Sequence, residues 1–282
     1  SFTLIERVII DKEEIPAEKC QGWNRNKTEG EVKPIIAWTK FTFPGRNNKY
    51  SDFQWDWHCF SGIDWDEKNR EHAIFLFKGK QWDEHVDKEN GNFDYLMGCD
   101  LDMDYPRVID ELDRWGKWYQ ETIGYDAVRL DADKHINFHF FTHWLQTLRK
   151  STGLPIPAVG EYWQKDINAL VNYLDESGLV MRVFDVSLHY RFQDLSNSNG
   201  QMDISKLFEG TLMDQRPDQA VTFVDNHDTQ PTQALESWVQ DWCKPLAYAC
   251  ILLRKEGLPC VFYGDLYGIP HDNIPPVLGL DK

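Results

Sequence analysis

Three short segments of the sequence each place a carboxylate where an apolar stretch ends. The carboxylates belong to Asp131, Glu161 and Asp228. If the apolar stretches are neighbouring parallel strands, the three carboxyls converge on one rim of a sheet. Carboxylates held close together repel, so one tends to keep a proton while another stays ionised. An acid and an ionised carboxylate side by side are the groups that hydrolysis of a glycosidic bond requires.

An arginine two residues before the first carboxylate strengthens this interpretation. Arg129 and Asp131 point to the same face of a strand, because side chains alternate along it. A guanidinium there can hold the Asp131 carboxylate ionised through a charge-assisted hydrogen bond. A single acid at a strand end is usually a helix cap or a surface charge. Three acids, accompanied by this arginine and by His135 and His227, favour a catalytic cleft.

The composition excludes some classes of partner. The chain of 282 residues carries 30 basic and 46 acidic side chains, so its formal net charge is −16. Nucleic acids and anionic lipids bind basic surfaces, so this balance argues against both partners. No apolar run reaches the roughly 18 residues of a membrane-spanning helix. An acidic surface suits neutral substrates and metal cations, and the 12 Trp residues suit a large core or sugar-stacking platforms.

The predicted scaffold for these side chains begins near residue 104, where the pattern of apolar residues changes. From there apolar periodicity alternates between helix and strand, which predicts βα units, a parallel sheet and the α/β class. The five predicted strands lie near residues 127–131, 158–162, 182–186, 221–225 and 259–263. A doubly wound sheet is the alternative, but no Gly-rich phosphate-binding fingerprint follows any strand. Five strands cannot close a (β/α)8 barrel, so we expect a partial barrel and a piece of a longer protein.

The first part of the chain has a different character. It contains short strand candidates but no long helical period, which predicts a β-rich, loop-rich module. The candidates are Phe2–Ile10, Ile35–Phe43 and Ala73–Phe77. We therefore predict two domains, a β-rich module over residues 1–103 and a partial catalytic barrel over residues 104–282.

The spacing of the cysteines bears on the cellular compartment of the protein. Six cysteines occur without a CxxC pair or the regular spacing of a disulfide framework. This pattern favours free thiols and a reducing compartment. We expect a cytoplasmic protein; because the chain begins with Ser1, a secreted or periplasmic location is the alternative.

Four ordered motifs resemble the α-amylase family of glycoside hydrolases, in particular its bacterial liquefying-type subgroup. They are Ala127–His135, Glu161–Trp163, Asn226–Asp228 and Gly257–Asp265. The resemblance implies strands 4–8 of a (β/α)8 TIM barrel, with a β-rich module inserted before them. The family's first three barrel strands and its C-terminal sandwich would lie outside this chain.

The resemblance also implies roles for individual residues. Asp131 would be the nucleophile, Glu161 the acid/base, and Asp228 the group that holds sugar hydroxyls and stabilises the transition state. The residues implied in substrate binding are Arg129, Lys134, His135, Trp163, Asn226 and His227. The implied reaction is retaining, endo-acting hydrolysis of α-1,4-glucosidic bonds in starch, glycogen and malto-oligosaccharides.

An acidic cluster predicts a structural calcium site. Hard cations bind carboxylates and backbone carbonyls, and the resemblance implies a calcium held by Asp94, Asp100 and the His135 carbonyl. A further metal would use Asp83, Asp102 and Asp104, but Ser61 stands where the family usually has an aspartate. We expect the first site to be weakened without the asparagine of the absent third barrel strand, and the second site to be weaker still.

Two alternatives remain open from the sequence. The first is an enzyme of the same family with another specificity, such as α-1,6 hydrolysis or glucosyl transfer. The second is a non-catalytic carbohydrate-binding protein. Such a protein would be expected to lose one of Asp131, Glu161 and Asp228, and all three are present.

Overall fold

The chain forms two compact units, each with its own sheet. The structure is a computed structural model that describes residues 8–22, 24–269 and 276. One unit runs to Tyr125 and includes Lys134–Pro155, and the other consists of Asp126–Asp133 and the chain from Ile156 onward. This division by contacts does not follow the boundary between residues 103 and 104, which stays a prediction. Within the described residues, no helix is long and apolar enough to cross a membrane.

The first unit contains a five-stranded antiparallel sheet. Its spatial order is β2-β1-β4-β3-β5. The strands are β1 (Ile9–Gln21), β2 (Asn24–Thr42), β3 (Phe60–Asp66), β4 (Glu71–Phe77) and β5 (Cys99–Leu101). β2 and β4 contain most of two predicted strands, whereas most of the candidate Phe2–Ile10 lies outside the described residues. The long β1–β2 hairpin was not predicted, because β1 carries acidic residues and a proline that disfavour a strand.

The core of the first unit lies between this sheet and helix α1 (Pro106–Ile123). Ile15, Ile35 and Phe77 from the sheet and Val108 from α1 are at most 3% exposed. Burial of such side chains stabilises a fold by about 1.5–3 kcal/mol each. Proline in the first turn starts α1, and Gly124 ends it in a left-handed conformation (φ 70°).

Helix α1 begins without a side-chain cap. Its N-cap is Tyr105, whose side chain makes no capping bond. The Asp104 N–H donates to Asp102 Oδ1 at 3.0 Å, so Asp104 belongs to the preceding turn. A helix with proline at its first position has one fewer N–H to satisfy, which makes an acidic cap dispensable.

Helix α2 (Phe138–Thr152) packs against α1 within the first unit. Trp144 on α2 donates its indole N–H to the carbonyl of Leu112 at 3.0 Å. The approach depends on Gly116, where an added Cβ would lie 2.7 Å from the Trp144 ring. A larger residue at position 116 would therefore separate the two helices.

The second unit contains five parallel strands in the order β10-β9-β8-β7-β6. They are β6 (Val128–Leu130), β7 (Ala158–Gly160), β8 (Arg182–Phe184), β9 (Ala220–Phe223) and β10 (Leu258–Cys260). Every neighbouring pair is parallel, with Arg129 opposite Val159 in the β6–β7 pair. The prediction of five adjacent parallel strands is thus confirmed, although each strand is shorter than predicted.

Helices follow most strands of the parallel sheet. They are α3 (Ile167–Glu176), α4 (Val186–Asn197), α5 (Leu212–Gln215), α6 (Lys244–Leu253) and α7 (Tyr263–Tyr267). Leu170 and Leu174 on α3, Leu188 on α4 and Val183 on β8 are fully buried. The apolar sides of these helices cover the sheet and leave the carboxyl ends of the strands to carry polar groups.

Candidate functional site

Two carboxylates follow adjacent parallel strands and share one guanidinium. Asp131 comes directly after β6 and Glu161 directly after β7. Arg129 Nη1 donates to Asp131 Oδ1 at 2.6 Å, and Arg129 Nη2 lies 2.9 Å from Glu161 Oε1. The second contact is an ion pair without hydrogen-bond geometry, since Glu161 Oε1 has no hydrogen-bond donor among the described residues. Arg129 therefore bridges the pair, whereas the sequence predicted it as a partner of Asp131 alone.

The environments of the two carboxylates differ strongly. The Asp131 side chain is 71% exposed, whereas that of Glu161 is 9% exposed. Burial raises the pKa of Glu161, and the nearby Asp131 charge raises it further, while Arg129 opposes the shift. An exposed, arginine-paired carboxylate beside a buried one with a raised pKa is the division of roles that a nucleophile and a general acid require.

A third carboxyl, missed by the sequence-based prediction, lies buried behind the pair. Asp133 is fully buried, and its Oδ2 accepts a hydrogen bond from the Tyr173 hydroxyl at 3.0 Å. Burial raises the pKa of Asp133 well above its ordinary value. Its backbone N–H donates to the Glu161 carbonyl at 3.1 Å. The signal was an acidic residue at an alternate position of the Asp131 segment, but nothing in the sequence fixed its burial.

Asp228 lies in a tight turn after β9, at the same edge of the sheet as the pair. Asn226 Oδ1 accepts hydrogen bonds from the N–H groups of Asp228 and Thr229, both at 2.9 Å. The exposed His227 ring places Nε2 3.2 Å from Asp228 Oδ2. Asn226 therefore shapes the turn that presents Asp228, which is a role the sequence did not predict for it.

Trp163 joins an aromatic cluster beside this edge. Its ring centroid lies 5.8 Å from that of His189, 6.3 Å from that of Tyr190 and 6.1 Å from that of Phe223. Trp163 is half-buried, so part of its ring is accessible. Its role as a stacking wall for a sugar stays a prediction.

Lys134 and His135 belong to the first unit. Lys134 Nζ pairs with Glu89 Oε2 at 2.8 Å, and His135 Nδ1 lies 2.7 Å from the Phe93 carbonyl oxygen. Burial lowers the pKa of His135 to about 4, so its ring is neutral and donates through Nδ1 to that carbonyl. Their predicted contacts with substrate remain predictions.

The acidic side chains of the predicted calcium site lie close together, and some of their buried oxygens lack a hydrogen-bond partner among the described residues. Asp94 is 5% exposed, and its Oδ2 accepts a hydrogen bond from the Asp83 N–H at 2.8 Å. Burial chiefly raises the pKa of Asp94 to about 7, and burial and the Asp94 charge raise that of Asp100. Buried Oδ2 atoms of Asp83 and Asp100 have no hydrogen-bond partner among the described residues. Oxygens of this type are the ligands that hard cations prefer, and a calcium ion at this position stays a prediction.

The other predicted metal ligands are arranged differently. Lys80 Nζ pairs with Asp102 Oδ2 at 2.5 Å and donates to the His58 carbonyl at 2.6 Å. Ser61 is buried and hydrogen-bonds to Asp100. Across the described ranges, no group of three or more His, Cys, Asp and Glu side chains is arranged to hold a metal ion.

All six cysteines are free. Cys20, Cys59 and Cys243 are buried, Cys99 and Cys250 are half-buried, and Cys260 is exposed. Burial raises the thiol pKa of Cys59 and Cys243, which keeps both as unreactive thiols. Among the residues that the structure describes, no disulfide therefore restrains either unit.

Curated proteins resemble this chain over nearly all of its length. It is 54% identical to an α-amylase of Geobacillus stearothermophilus over 93% of the chain and 48% of that protein. It is 49% identical to an α-amylase of Bacillus licheniformis, covering 93% of the chain and 51% of that protein. It is 41% identical to the cytoplasmic α-amylase of Escherichia coli, covering 94% and 54%. The chain thus spans about half the length of these relatives. No protein-family model matches it.

Solved structures show a similar fold. An α-amylase of Geobacillus thermoleovorans, complexed with acarbose, superposes with a TM-score of 0.51 at 20% identity over 67% of this chain and 44% of that one. An Anoxybacillus α-amylase gives a TM-score of 0.50 at 21% identity, over 64% and 40% of the two chains. Identity this low bears on the fold alone.

Proposed function

We propose that the chain is part of an α-amylase-family glycoside hydrolase and carries the catalytic carboxylates of an enzyme that hydrolyses α-1,4-glucosidic bonds with retention of configuration. The observation that carries this proposal is the bridge of Arg129 between Asp131 and Glu161 at the ends of neighbouring parallel strands. The parallel sheet is proposed to be strands 4–8 of a (β/α)8 barrel, because catalytic groups in that fold lie at the carboxyl ends of the strands.

The first step of the proposed reaction forms a covalent glycosyl intermediate. Asp131 attacks the anomeric carbon, the glycosidic C–O bond breaks, and Glu161 gives its proton to the leaving oxygen. The burial of Glu161 supports this role, since a raised pKa favours the protonated form that a general acid needs. The exposure of Asp131 leaves its carboxylate accessible to a sugar ring.

The second step releases the sugar. Glu161, now ionised, takes a proton from water, the water oxygen attacks the anomeric carbon, and the bond to Asp131 breaks. Arg129 is proposed to stabilise whichever carboxylate carries charge, because its two terminal nitrogens contact both. Asp228 is proposed to hold sugar hydroxyls, with His227 beside it.

The substrate proposed is an α-glucan such as starch, glycogen or a malto-oligosaccharide, cleaved internally. One relative of 49% identity is a glucan 1,4-α-maltohexaosidase of a Bacillus strain, which supports the 1,4 linkage. Glucosyl transfer is the second candidate, because a cyclomaltodextrin glucanotransferase of Niallia circulans is 26% identical over 50% of the chain. The higher identity and wider coverage of the hydrolases favour hydrolysis.

Calcium and compartment complete the proposal. The Asp94 and Asp100 carboxylates, with the His135 carbonyl, would hold a calcium ion that offsets their mutual repulsion. Free thiols and a cytoplasmic relative support a reducing, cytoplasmic location. An encoded secretion signal in the full-length protein would contradict that location.

The proposed function is tested by Glu161→Gln in the full-length protein. Glutamine keeps the shape but has no proton to donate, so kcat on soluble starch should fall by about 10²–10⁴-fold. The control is Glu176→Gln, which changes an exposed acid at the end of α3 in the same unit. Unchanged starch cleavage by Glu161→Gln would overturn the assignment, and cyclic products from the unmodified protein would favour transfer over hydrolysis.

A further inference from the structure

A lysine lies completely buried between two buried aspartates beyond strand β9. Lys244, at the start of α6, places Nζ 2.9 Å from Asp225 Oδ2 and 2.5 Å from Asp265 Oδ1. All three side chains have no exposed surface. The Tyr248 hydroxyl donates to Asp265 Oδ2 at 2.6 Å, and the Lys244 ammonium lies over the Trp238 ring. None of these residues has a role in the proposed reaction.

Stability alone is a weak explanation for this arrangement. Removing three charged groups from water costs several kcal/mol per ion, and apolar side chains of similar size are often as stable or more so. Buried ionic groups are better explained where they fix one geometry that an apolar core would leave loose. Lys244, Asp225 and Asp265 are therefore expected to fix the geometry of a neighbouring segment.

The hydrogen bonds of Asp225 lead directly to the turn that carries Asp228. Asp225 Oδ1 accepts from the Thr229 hydroxyl at 2.7 Å, and Thr229 Oγ1 in turn accepts from the Asn226 N–H at 2.9 Å. Asn226 Oδ1 then accepts from the Asp228 N–H at 2.9 Å. Lys244 is thus joined to the Asp228 backbone by a continuous series of short polar contacts.

The other carboxylate oxygen of Asp225 anchors the loop that flanks the turn. Asp225 Oδ2 accepts from the Val239 N–H at 3.2 Å while it also contacts Lys244. The flanking loop returns to the turn, because the Leu235 N–H donates to the Asp228 carbonyl at 3.2 Å. Both sides of the Asp228 turn therefore depend on the orientation of one carboxylate, which Lys244 holds from behind.

We propose that Lys244, clamped between Asp225 and Asp265, is a positioning residue that sets the orientation of the Asp228 carboxylate in the catalytic cleft. This proposal rests on the proposed function, in which Asp228 holds sugar hydroxyls in the transition state. A carboxylate displaced by a fraction of an ångström still contacts substrate but loses the alignment on which transition-state stabilisation depends. The expected signature is a lower kcat with little change in KM.

The main test is a double-mutant cycle in the full-length protein. Lys244→Met should lower kcat on soluble starch by about 10–100-fold and leave KM within about threefold. Combined with Asp228→Asn, it should cause little further loss, because it acts through a group already removed. The matched control is Leu170→Ala, which disturbs the fully buried core on α3 and should add its effect to that of Asp228→Asn.

A milder pair of variants keeps the test informative if Lys244→Met fails to fold. Thr229→Val removes the hydroxyl that links Asp225 to the turn, whereas Thr229→Ser keeps it. We expect Thr229→Val to lose kcat by about tenfold and Thr229→Ser to restore it. Unchanged kcat in Lys244→Met or Thr229→Val, or full additivity with Asp228→Asn, would overturn the positioning role. An active Asp228→Asn variant would instead contradict the proposed function itself.

Discussion

Arg129 and Glu161 are ion-paired, with Nη2 2.9 Å from Oε1, although they come from different strands. The same guanidinium donates to Asp131, so one cation faces both carboxylates. Paired with an ionised Glu161, it lowers the cost of that charge, and it opposes the rise in pKa that burial causes. Arg129 therefore limits how far burial raises the pKa of Glu161.

This relationship predicts different outcomes for two substitutions. Arg129→Met removes the positive charge, so the pKa of Glu161 should rise and the alkaline limb of the kcat–pH profile should move to higher pH. Arg129→Lys keeps the charge but cannot bridge two carboxylates, so kcat should fall with a smaller shift of that limb. The control is Arg182→Lys on the exposed side of β8. An alkaline limb that does not move in Arg129→Met would contradict this electrostatic role.

Gly160→Ala should destabilise the second unit. An added Cβ would overlap Asp133 Oδ2 and would lie 2.9 Å from Met181 Sδ, and both of these side chains are buried. The Asp133 carboxyl is buried and held by the Tyr173 hydroxyl, so we expect a loss of about 1–3 kcal/mol, measured as a lower Tm. The double variant Gly160→Ala with Asp133→Ala should recover part of that loss. A wild-type Tm for Gly160→Ala would show that the strand shifts freely.

The buried His189 should make the folded protein less stable at acid pH. Burial lowers its pKa from 6.5 to about 4, where its ring is held by the Val224 carbonyl and stacked on Phe223. Below pH 6.5 the His189 imidazole binds a proton in the unfolded state but not in the folded state. The free energy of unfolding therefore falls as pH decreases from about 6.5 to about 4. This group alone accounts for up to about 3 kcal/mol.

The check is a series of melting curves between pH 7 and pH 4. The decrease in Tm over that range should be smaller in His189→Gln, because the glutamine side chain at position 189 does not titrate. His227→Gln is the matched control, since that ring is largely exposed. Equal slopes in the unmodified protein and in His189→Gln would contradict the explanation.

Calcium should raise the Tm of the full-length protein. The reason is the repulsion among Asp94, Asp100 and Asp83, two of which have buried oxygens without a hydrogen-bond partner among the described residues. Chelator should lower the Tm, and Asp94→Asn should weaken this dependence, whereas Asp52→Asn, at an exposed site, should not. A Tm that chelator leaves unchanged would remove the structural role. Tight binding of two or more ions would show that Ser61 does not weaken the second site.

The sequence predicted the features that depend on local pattern. The five parallel strands follow from apolar runs separated by helical periods, and the places of Asp131 and Glu161 follow from where those runs end. The bridge of Arg129 to Glu161 could not be predicted in the same way. It depends on the register between β6 and β7, in which Arg129 lies opposite Val159, and register is a property of two segments far apart in sequence.

The burial of individual polar side chains also could not be predicted from the sequence. Asp133 and Lys244 have no exposed surface, although their types are among the least often buried. The burial of each is explained by its partners. Asp133 accepts a hydrogen bond from Tyr173, and Lys244 pairs with Asp225 and Asp265. A pattern of residue types carries no record of such partners, because they are brought together by packing of separate elements.

The buried thiols give each unit its own reporter of motion. Cys59 lies in the core of the first unit and Cys243 in the second, both with no exposed surface and with raised pKa values. A thiol of this kind reacts with an alkylating reagent only during transient opening of the surrounding structure. Labelling rates at these two positions would therefore measure separately how often each unit opens, and whether the proposed glucan substrate slows opening in one unit more than in the other.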